Sequence, residues 1–352
     1  MAIPQDIRFC TTADGVRIAT AQTGSGSPLV RTGTWLSHLE RDVQDDSANR
    51  IEALSRRHTF LRYDSRGCGL SDRRIPPLKF DDFLLDLEAV VASRGLRRFA
   101  LLGISMGAAI AVAYAVRHPE QVSHLVLMNG FARSYFSARQ APPGAREEAE
   151  LLLRNAELGW GNAKSVFRHV FVAQMLGNAT VQQQEEMARR MQLSMTPEMA
   201  VAYLRNNYAI DVKDACRQVT CPTLVFHSRG DEMVDFEQGR RMAGYIPDAR
   251  FLPLECKGHH ILSNEPAEQV FYEEIGRFLG DESRGAGAHL TPRQSEVLRA
   301  VAAGRGDKEI ARQLGLSPRT VEMHVAGAMK ALDCATRAEA VARATQAGLL
   351  PH

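Results

Sequence analysis

The 352-residue sequence has no apolar run approaching the ~20 residues that span a bilayer, so no membrane association is expected. Its six cysteines (Cys10, Cys68, Cys216, Cys221, Cys256, Cys334) form no C-x-x-C pair. That scatter argues against a zinc site or a disulfide framework and fits reduced thiols. The opening residues, MAIPQDIRFC, lack a basic start followed by an apolar stretch. No signal peptide is therefore expected, and the protein is read as cytoplasmic. There is no internal repeat and no low-complexity tract, so neither a repeat array nor a biased-composition chain is expected. An excess of charge of either sign is also nearly missing, with 43 Lys+Arg against 41 Asp+Glu and a net of +2. Its distribution says slightly more. From Gly285 onward there are 9 Lys+Arg against 6 Asp+Glu, while the remainder carries a net −1. The positive excess sits where a nucleic-acid-binding module would need it.

What is present is an ordinary globular composition, 45% hydrophobic and 24% charged, at a length that suits two domains. Residues 1–280 alternate strand-like and helix-like segments, which predicts an α/β fold with a mostly parallel sheet. Strands are expected at Thr59–Tyr63, Phe99–Gly103, His124–Met128, Thr223–His227 and Arg250–Leu254. Each is short and apolar, as strands buried on both faces should be. Helices are expected at Phe80–Ser93, Met106–Arg117, Glu237–Ala243 and Ala267–Leu279. From about Phe131 to Cys216 the alternation gives way to helices alone, broken at Pro142–Pro143, Gly159–Gly161 and Pro197. Such an insertion between two strands reads as a helical cap over the sheet's ligand-binding edge. Residues 281–288, DESRGAGA, read as a linker, and 289–352 as a second, all-helical domain.

In that second domain Thr291, Pro292 and Gln294 give a helix start, and Gly304 its end. Asp307 is expected to cap a second helix that stops at Gly315. Ser317 and Pro318 open a third, and Thr336 with Glu339 open a fourth that closes at Gly348. The tight Gly315–Leu316–Ser317 connection has the length of a helix-turn-helix. On the third helix Val321, Val325, Ala328 and Leu332 share one face and should be buried. Arg319, Met323, Ala326 and Lys330 fall opposite, with Thr320 and Glu322 at the margin. Such a face can enter the major groove, where Arg and Lys reach guanine or phosphate and Glu accepts from cytosine. Lys308 would add a phosphate contact. A packing bundle would show the same helix pattern, so the residues themselves decide. LTPRQSEVLRAVAAG, KEIARQLGLSPRTVEMHV, KAL and RAEAVARA resemble the LuxR-type helix-turn-helix family over its whole length. The resemblance implies double-stranded DNA as partner and a homodimer on two half-sites. Met323 and Ala326 stand where some relatives carry lysines, so base preference does not transfer.

In the first domain Gly103-Ile104-Ser105-Met106-Gly107 matches G-x-S-x-G between an expected strand and an expected helix. A serine nucleophile needs a base and an orienting acid, which for this strand-turn-helix architecture follow in the chain order Ser, acid, His. Asp231 follows the Thr223 strand and His259-His260 follow the Arg250 strand. Asp235 is the rival acid and His260 the rival base. His259 is preferred because it follows Gly258 and keeps the usual distance to Pro266. Asn129, after the His124 strand, offers no carboxylate. This half resembles the α/β-hydrolase superfamily over about residues 10–280. Asp64, Arg66, Gly67, Gly69, Ser71 and Asp72 fit its D-x-R-G-x-G-x-S-D loop, whose Asp and Arg read as structural. Trp35-Leu36-Ser37-His38-Leu39-Glu40 is similar to a subgroup fused to bacterial regulators and nucleotide cyclases. The His-Gly that relatives carry after the first core strand is missing from Leu29–Trp35. The oxyanion hole is assigned to the backbone amides of Trp35 and Met106.

The cap carries Met187, Met191, Met195 and Met199 at four-residue spacing. That stripe reads as core or as an adaptable lining. Trp160, Phe167, Phe171, Met191 and Tyr203 are the expected ligand-pocket residues. No metal site is visible, and hydrolase chemistry of this type needs no cofactor. The two halves together imply a ligand-responsive transcriptional regulator. Its hydrolase-fold domain would bind a small molecule or ester substrate, with slow hydrolysis left open, and would control DNA binding. An esterase-like serine hydrolase with an accessory DNA-binding tail is the alternative.

Overall fold

The computed structural model describes the chain except residues 1–2, 45–46, 75–76, 135, 137–142, 161, 163–164, 281–289, 291, 333, 335, 347–349 and 351–352. The expected linker 281–288, and Thr291 and Gly348 of the expected helix ends, lie outside the described residues. The chain divides into two compact units, Met1–Ile275 and Gly276–His352.

The first unit is built on an eight-stranded sheet. Its strands are β1 (Asp6–Thr11), β2 (Arg17–Thr23), β3 (Ser27–Arg31), β4 (His58–Tyr63), β5 (Phe99–Ile104), β6 (Val122–Met128), β7 (Thr223–Ser228) and β8 (Arg250–Leu254), in the order β1-β2-β4-β3-β5-β6-β7-β8. From β4 to β8 the pairs are parallel; β1 and β2 join antiparallel at one edge. The central strands are the apolar runs of the sequence, and Leu101, Leu102, Leu125, Val126, Leu224 and Val225 are fully buried. β1 and β2 were not among the expected strands. β1 (DIRFCT) is largely exposed and β2 (RIATAQT) is built from small and polar residues, so neither carries the apolar run of a central strand.

Between β6 and β7 the chain makes five helices: Ala145–Gly159, Val166–Leu176, Val181–Ser194, Pro197–Ala209 and Lys213–Cys216. An Arg133–Asp211 ion pair of 2.8 Å draws the two ends of this cap together. Pro197, expected as a break, is the first residue of its helix, where its missing N–H costs nothing; the Thr196 hydroxyl accepts from Met199 N at 3.3 Å.

The second unit holds helices Pro292–Ala302, Asp307–Leu314, Pro318–Ala331 and Arg337–Gln346. Val321, Val325, Ala328 and Leu332 are buried, together with Val297, Leu298, Ile310 and Ala311. Gly315 takes the left-handed conformation (φ 65°) that ends the second helix. Ser317 Oγ then accepts from Thr320 N at 3.1 Å and starts the third. One cap differs from expectation. Gly306, not Asp307, precedes the second helix, and Glu309 accepts from its N–H at 3.2 Å. Asp307 is free to pair with Arg337 (2.9 and 3.1 Å) across to the fourth helix. Thr336 Oγ1 accepts from Glu339 N at 3.2 Å, as expected.

In the first unit, the loops that shape the sheet's carboxyl edge are held by buried charge. Asp64 Oδ2 accepts from Leu70 N (2.9 Å) and Leu39 N (3.2 Å), and Gly69 has no room for a Cβ, which would lie 2.1 Å from that oxygen. Arg66 pairs with Asp14 (2.7 Å) and Asp86 (2.8 Å). Asp42, fully buried, receives Arg31 from β3 (3.0 Å), Arg62 from β4 (2.9 Å) and Arg190 from the cap. Burial alone would push the Asp42 carboxyl up. Arg190, Arg31 and Arg62 outweigh it and hold the group far below the ordinary range. Removing the one carboxylate that three guanidiniums share leaves buried like charges. Asp42→Asn should therefore destabilise the fold by about 3–5 kcal/mol in urea titrations at neutral pH. Glu40→Gln, an exposed carboxylate on the same short helix, should stay within about 0.5 kcal/mol. Because the folded-state carboxyl sits below its unfolded value, the wild-type advantage is complete above the ordinary aspartate pKa and disappears as the pH falls through the folded value. Equal effects of the two substitutions would show that the cluster does not hold the loop.

Candidate active site

Ser105 stands between β5 and helix Met106–Arg117 with φ 56° and ψ −127°, a conformation L-residues rarely adopt. The flanking glycines make the turn possible. A Cβ on Gly103 would lie 2.6 Å from Gly107 O, and one on Gly107 would lie 2.3 Å from Thr32 Oγ1. Thr32 donates its hydroxyl to Gly107 O (3.2 Å) and its N–H to Leu102 O (2.9 Å). The loop after β3, which carries Trp35, is thereby fastened to the turn that carries Ser105.

Asp231 follows β7 and His259 follows β8. Their side chains meet, with His259 Nδ1 to Asp231 Oδ2 at 2.7 Å. The other carboxylate oxygen accepts from Met233 N and Val234 N, both at 2.9 Å, so both oxygens are oriented. With Nδ1 donating to the carboxylate, Nε2 carries the free lone pair. That atom is buried and has no hydrogen-bond partner among the described residues. Ser105 and His259 line the same cavity. The rival acid, Asp235, is occupied as a helix cap, accepting from Glu237 N at 2.8 Å. The rival base, His260, also lines the cavity. Burial, reinforced by Arg50 and Arg190, pulls its pKa well below the ordinary value, and no hydrogen bond joins its ring to Asp231 among the described residues.

Sequence reasoning set Asn129 aside because it is no acid. The structure gives it a positioning role at the end of β6, with φ 48°. Its side chain donates to His259 O (2.6 Å) and Ser228 Oγ (3.0 Å) and accepts from Ser228 N (2.8 Å). His227 was missed as well. Its Nε2 donates to Val234 O (2.8 Å) and lies 3.7 Å from Asp231 Oδ2; burial lowers its pKa. No residue spacing announces either role, because both arise where separate strands end side by side.

Two cavities of about 400 and 390 Å³ meet at Ser105 and Trp35, which line both. Phe167 and Phe171, expected pocket residues, line the second. Trp160, Met191 and Tyr203 line neither. They are fully buried behind it, Trp160 against Trp35 (5.6 Å between ring centres) and Tyr203 donating its hydroxyl to Arg66 O (2.7 Å). The methionine stripe is likewise mostly core, with Met191 and Met195 buried and Met187 reaching the first cavity. Met106 buries its side chain in the core, and its N–H begins the helix directly after Ser105. Among the described residues no group of three or more His, Cys, Asp or Glu is placed to hold a metal. No described helix is long and apolar enough to cross a membrane.

In the second unit, Arg319, Glu322, Met323 and Ala326 are exposed on the third helix and Thr320 is half-buried. Lys308 and Arg312 are exposed on the second. Lys308, Arg312 and Arg319 form no ion pair among the described residues, which leaves their charges available. The side chain of Lys330 lies outside the described residues.

Comparison with known proteins agrees with both units. The model of the alpha/beta hydrolase fold family matches residues 45–266. That of the luxR family of bacterial regulatory proteins matches residues 288–344. The chain is similar to non-heme chloroperoxidase CPO-A1 of Kitasatospora aureofaciens, 27% identical over 278 residues, covering 77% of this chain and 98% of that protein. It is also similar to the putative carbamate hydrolase RutD of Azorhizobium caulinodans, 26% identical over 233 residues, covering 66% and 84%. An esterase from Exiguobacterium antarcticum shares the fold at TM-score 0.66 and 21% identity, over 77% of this chain and 98% of that one. The enol-lactonase from Burkholderia xenovorans does so at TM-score 0.64 and 20% identity, over 78% and 100%. The chain belongs to the alpha/beta hydrolase fold family and carries, over residues 288–344, a DNA-binding domain of the LuxR family of bacterial regulators.

Proposed function

We propose that this protein is a cytoplasmic transcriptional regulator that acts as a homodimer and responds to a small molecule held beside Ser105. One observation carries the reading: a single chain joins a LuxR-family domain to a hydrolase fold whose Ser105 and His259, the latter held by Asp231, border a roomy, two-part cavity. A ligand regulates only if it favours one DNA-binding state by a differential free energy. The third helix, Pro318–Ala331, enters the major groove, with Arg319, Thr320, Glu322, Met323, Ala326 and Lys330 toward the bases and Lys308 toward phosphate.

The geometry also supports chemistry at the same site. Ser105 Oγ attacks an acyl carbon while its proton passes to His259 Nε2. Asp231 stabilises the imidazolium, and the amides of Trp35 and Met106 face the oxyanion. The proton then leaves with the alcohol, and water releases the acyl group by the reverse path. The hydrolase reading is favoured by the full orientation of Asp231.

Labelling with an alkyl fluorophosphonate separates these roles. Mass spectrometry should find one adduct on Ser105, and none on Ser105→Ala. Asp231→Asn should slow labelling by roughly 10³–10⁴-fold. Asp235→Ala should cost about 1 kcal/mol of stability as a lost helix cap and label near the wild-type rate. Loss of labelling in His260→Ala but not His259→Ala would reverse the assignment of the base.

The adduct then tests regulation. Affinity for a duplex selected from a random pool should change about 5–150-fold when Ser105 is fully labelled. An unchanged affinity at full labelling would refute the sensor. On the same duplex, Arg319→Ala should weaken binding and, if it meets a phosphate, lower the slope of log affinity against log salt by about 0.9. Unaltered binding would remove this helix from the interface.

A further inference from the structure

The two cavities that meet at Ser105 have opposite character. Among the described residues the first is lined by Arg31, Arg50 and Arg190 against one carboxylate, Glu186. The second is lined by Phe131, Phe136, Phe167 and Phe171, and its charged residues are three carboxylates (Glu148, Glu232, Asp235) against Arg133 alone. A molecule spanning both would feel a cationic end and an apolar, anionic-rimmed end, with Ser105 between.

Two arginines of the first cavity, Arg31 and Arg50, are undersupplied with anions among the described residues. Arg31, 7% exposed, makes one side-chain hydrogen bond among the described residues, from Nη2 to Asp42, and its Nε is buried without an acceptor. Arg50, 5% exposed, donates Nη2 to Ile261 O at 3.1 Å; it forms no ion pair among the described residues, and its Nε also lacks an acceptor. Arg190 shares Asp42 with Arg31 and Arg62. Guanidinium groups carry their charge at any working pH, so burial cannot be relieved by losing a proton. Buried charge without a counter-charge is costly, and a carboxylate entering this cavity would supply one with matching planar geometry.

We propose that the ligand is an amphiphilic carboxylate: an acyl compound with a free carboxylate toward Arg31, Arg50 and Arg190 and an apolar portion toward Phe131, Phe167 and Phe171. The inference rests on the cavity beside Ser105 being the ligand site. It adds the ligand's charge and its direction. The carboxylates around the second cavity repel the anionic end, so only one orientation is favoured.

The chain's two tryptophans give the readout. Trp35 lines both cavities and Trp160 packs on it, so intrinsic fluorescence reports occupancy without any turnover. Full-length Ser105→Ala would be titrated with monohexyl succinate, with the neutral diester hexyl methyl succinate, and with succinate. The monoester should bind ~10-fold or more tightly than either of the others, since it alone satisfies both cavities. Arg31→Gln, checked for folding by its circular dichroism melt, should shrink the preference for monoester over diester. If that variant does not fold, Glu186→Gln, which removes a carboxylate from the cavity wall, should raise monoester affinity several-fold. Equal or tighter binding of the diester would overturn the proposal and leave the ligand-site reading intact. Binding of neither ester would overturn both. A monoester preference in a protein whose Ser105 resists fluorophosphonate would uphold the proposal and remove only the catalytic reading.

Discussion

A single buried carboxylate, Asp42, sits at the junction of three parts of the first unit. Arg31 brings β3, Arg62 brings β4 and Arg190 brings the cap helix Val181–Ser194 to the same two oxygens. Buried ion clusters of this kind are poor sources of net stability, because desolvation consumes most of the Coulombic gain. Their effect is to make one arrangement far better than its neighbours. A cap displaced by a few ångströms would strand Arg190 without Asp42 and without Leu36 O, to which its Nε donates at 2.9 Å. Arg62 shows the cost of the arrangement, since burial drags its guanidinium down to about 10 in spite of Asp42. Two of the three arginines also line the cavity beside Ser105. The charge that fixes the cap therefore sets the potential a ligand meets.

The other constraint is the turn at Ser105. Its φ of 56° is held by contacts on every side: glycines at 103 and 107 that let strand and helix close up, and Thr32 bonding across to Gly107. Asp231 and His259 come from loops after β7 and β8, well separated in sequence. Asn129 unites them. From the end of β6 it holds the backbone of Ser228 and the carbonyl of His259 at once. Parallel neighbours make this possible, because their carboxyl ends emerge together on one edge.

The sequence reveals those features whose cause is local. The strand-turn-helix around Ser105, the buried stripe of Val321, Val325, Ala328 and Leu332, and the Thr336 cap follow from spacing and side-chain type. The structure places each as the spacing implies. Features whose cause is tertiary stay hidden. β1 is the sheet's exposed edge, and β2 beside it is buried yet made mostly of small and polar residues, so neither shows an apolar run. Trp160, Met191 and Tyr203 have the composition of a pocket lining, yet composition does not distinguish the layer facing a cavity from the layer behind it. Asp307 looks like a helix cap until Arg337, thirty residues on, supplies a better use for its carboxylate. The arginines at the cavity come from residues 31, 50 and 190 and have no linear signature at all.

A hydrolase fold suits a receptor for an energetic reason. An enzyme gains from interactions realised only in the transition state, whereas a receptor needs a bound state that persists. Arginines that complement a ground-state carboxylate serve the second purpose, since they hold ligand and transition state alike. The size of the effect also fits. A hydrogen bond to a charged group is worth about 1.5–3 kcal/mol, and a typical coupling between two sites is about 1–3 kcal/mol. Arg190 belongs both to the cap and to the cavity. An anion that drew Arg190 partly from Asp42 would change the cap's anchoring by an amount of that order.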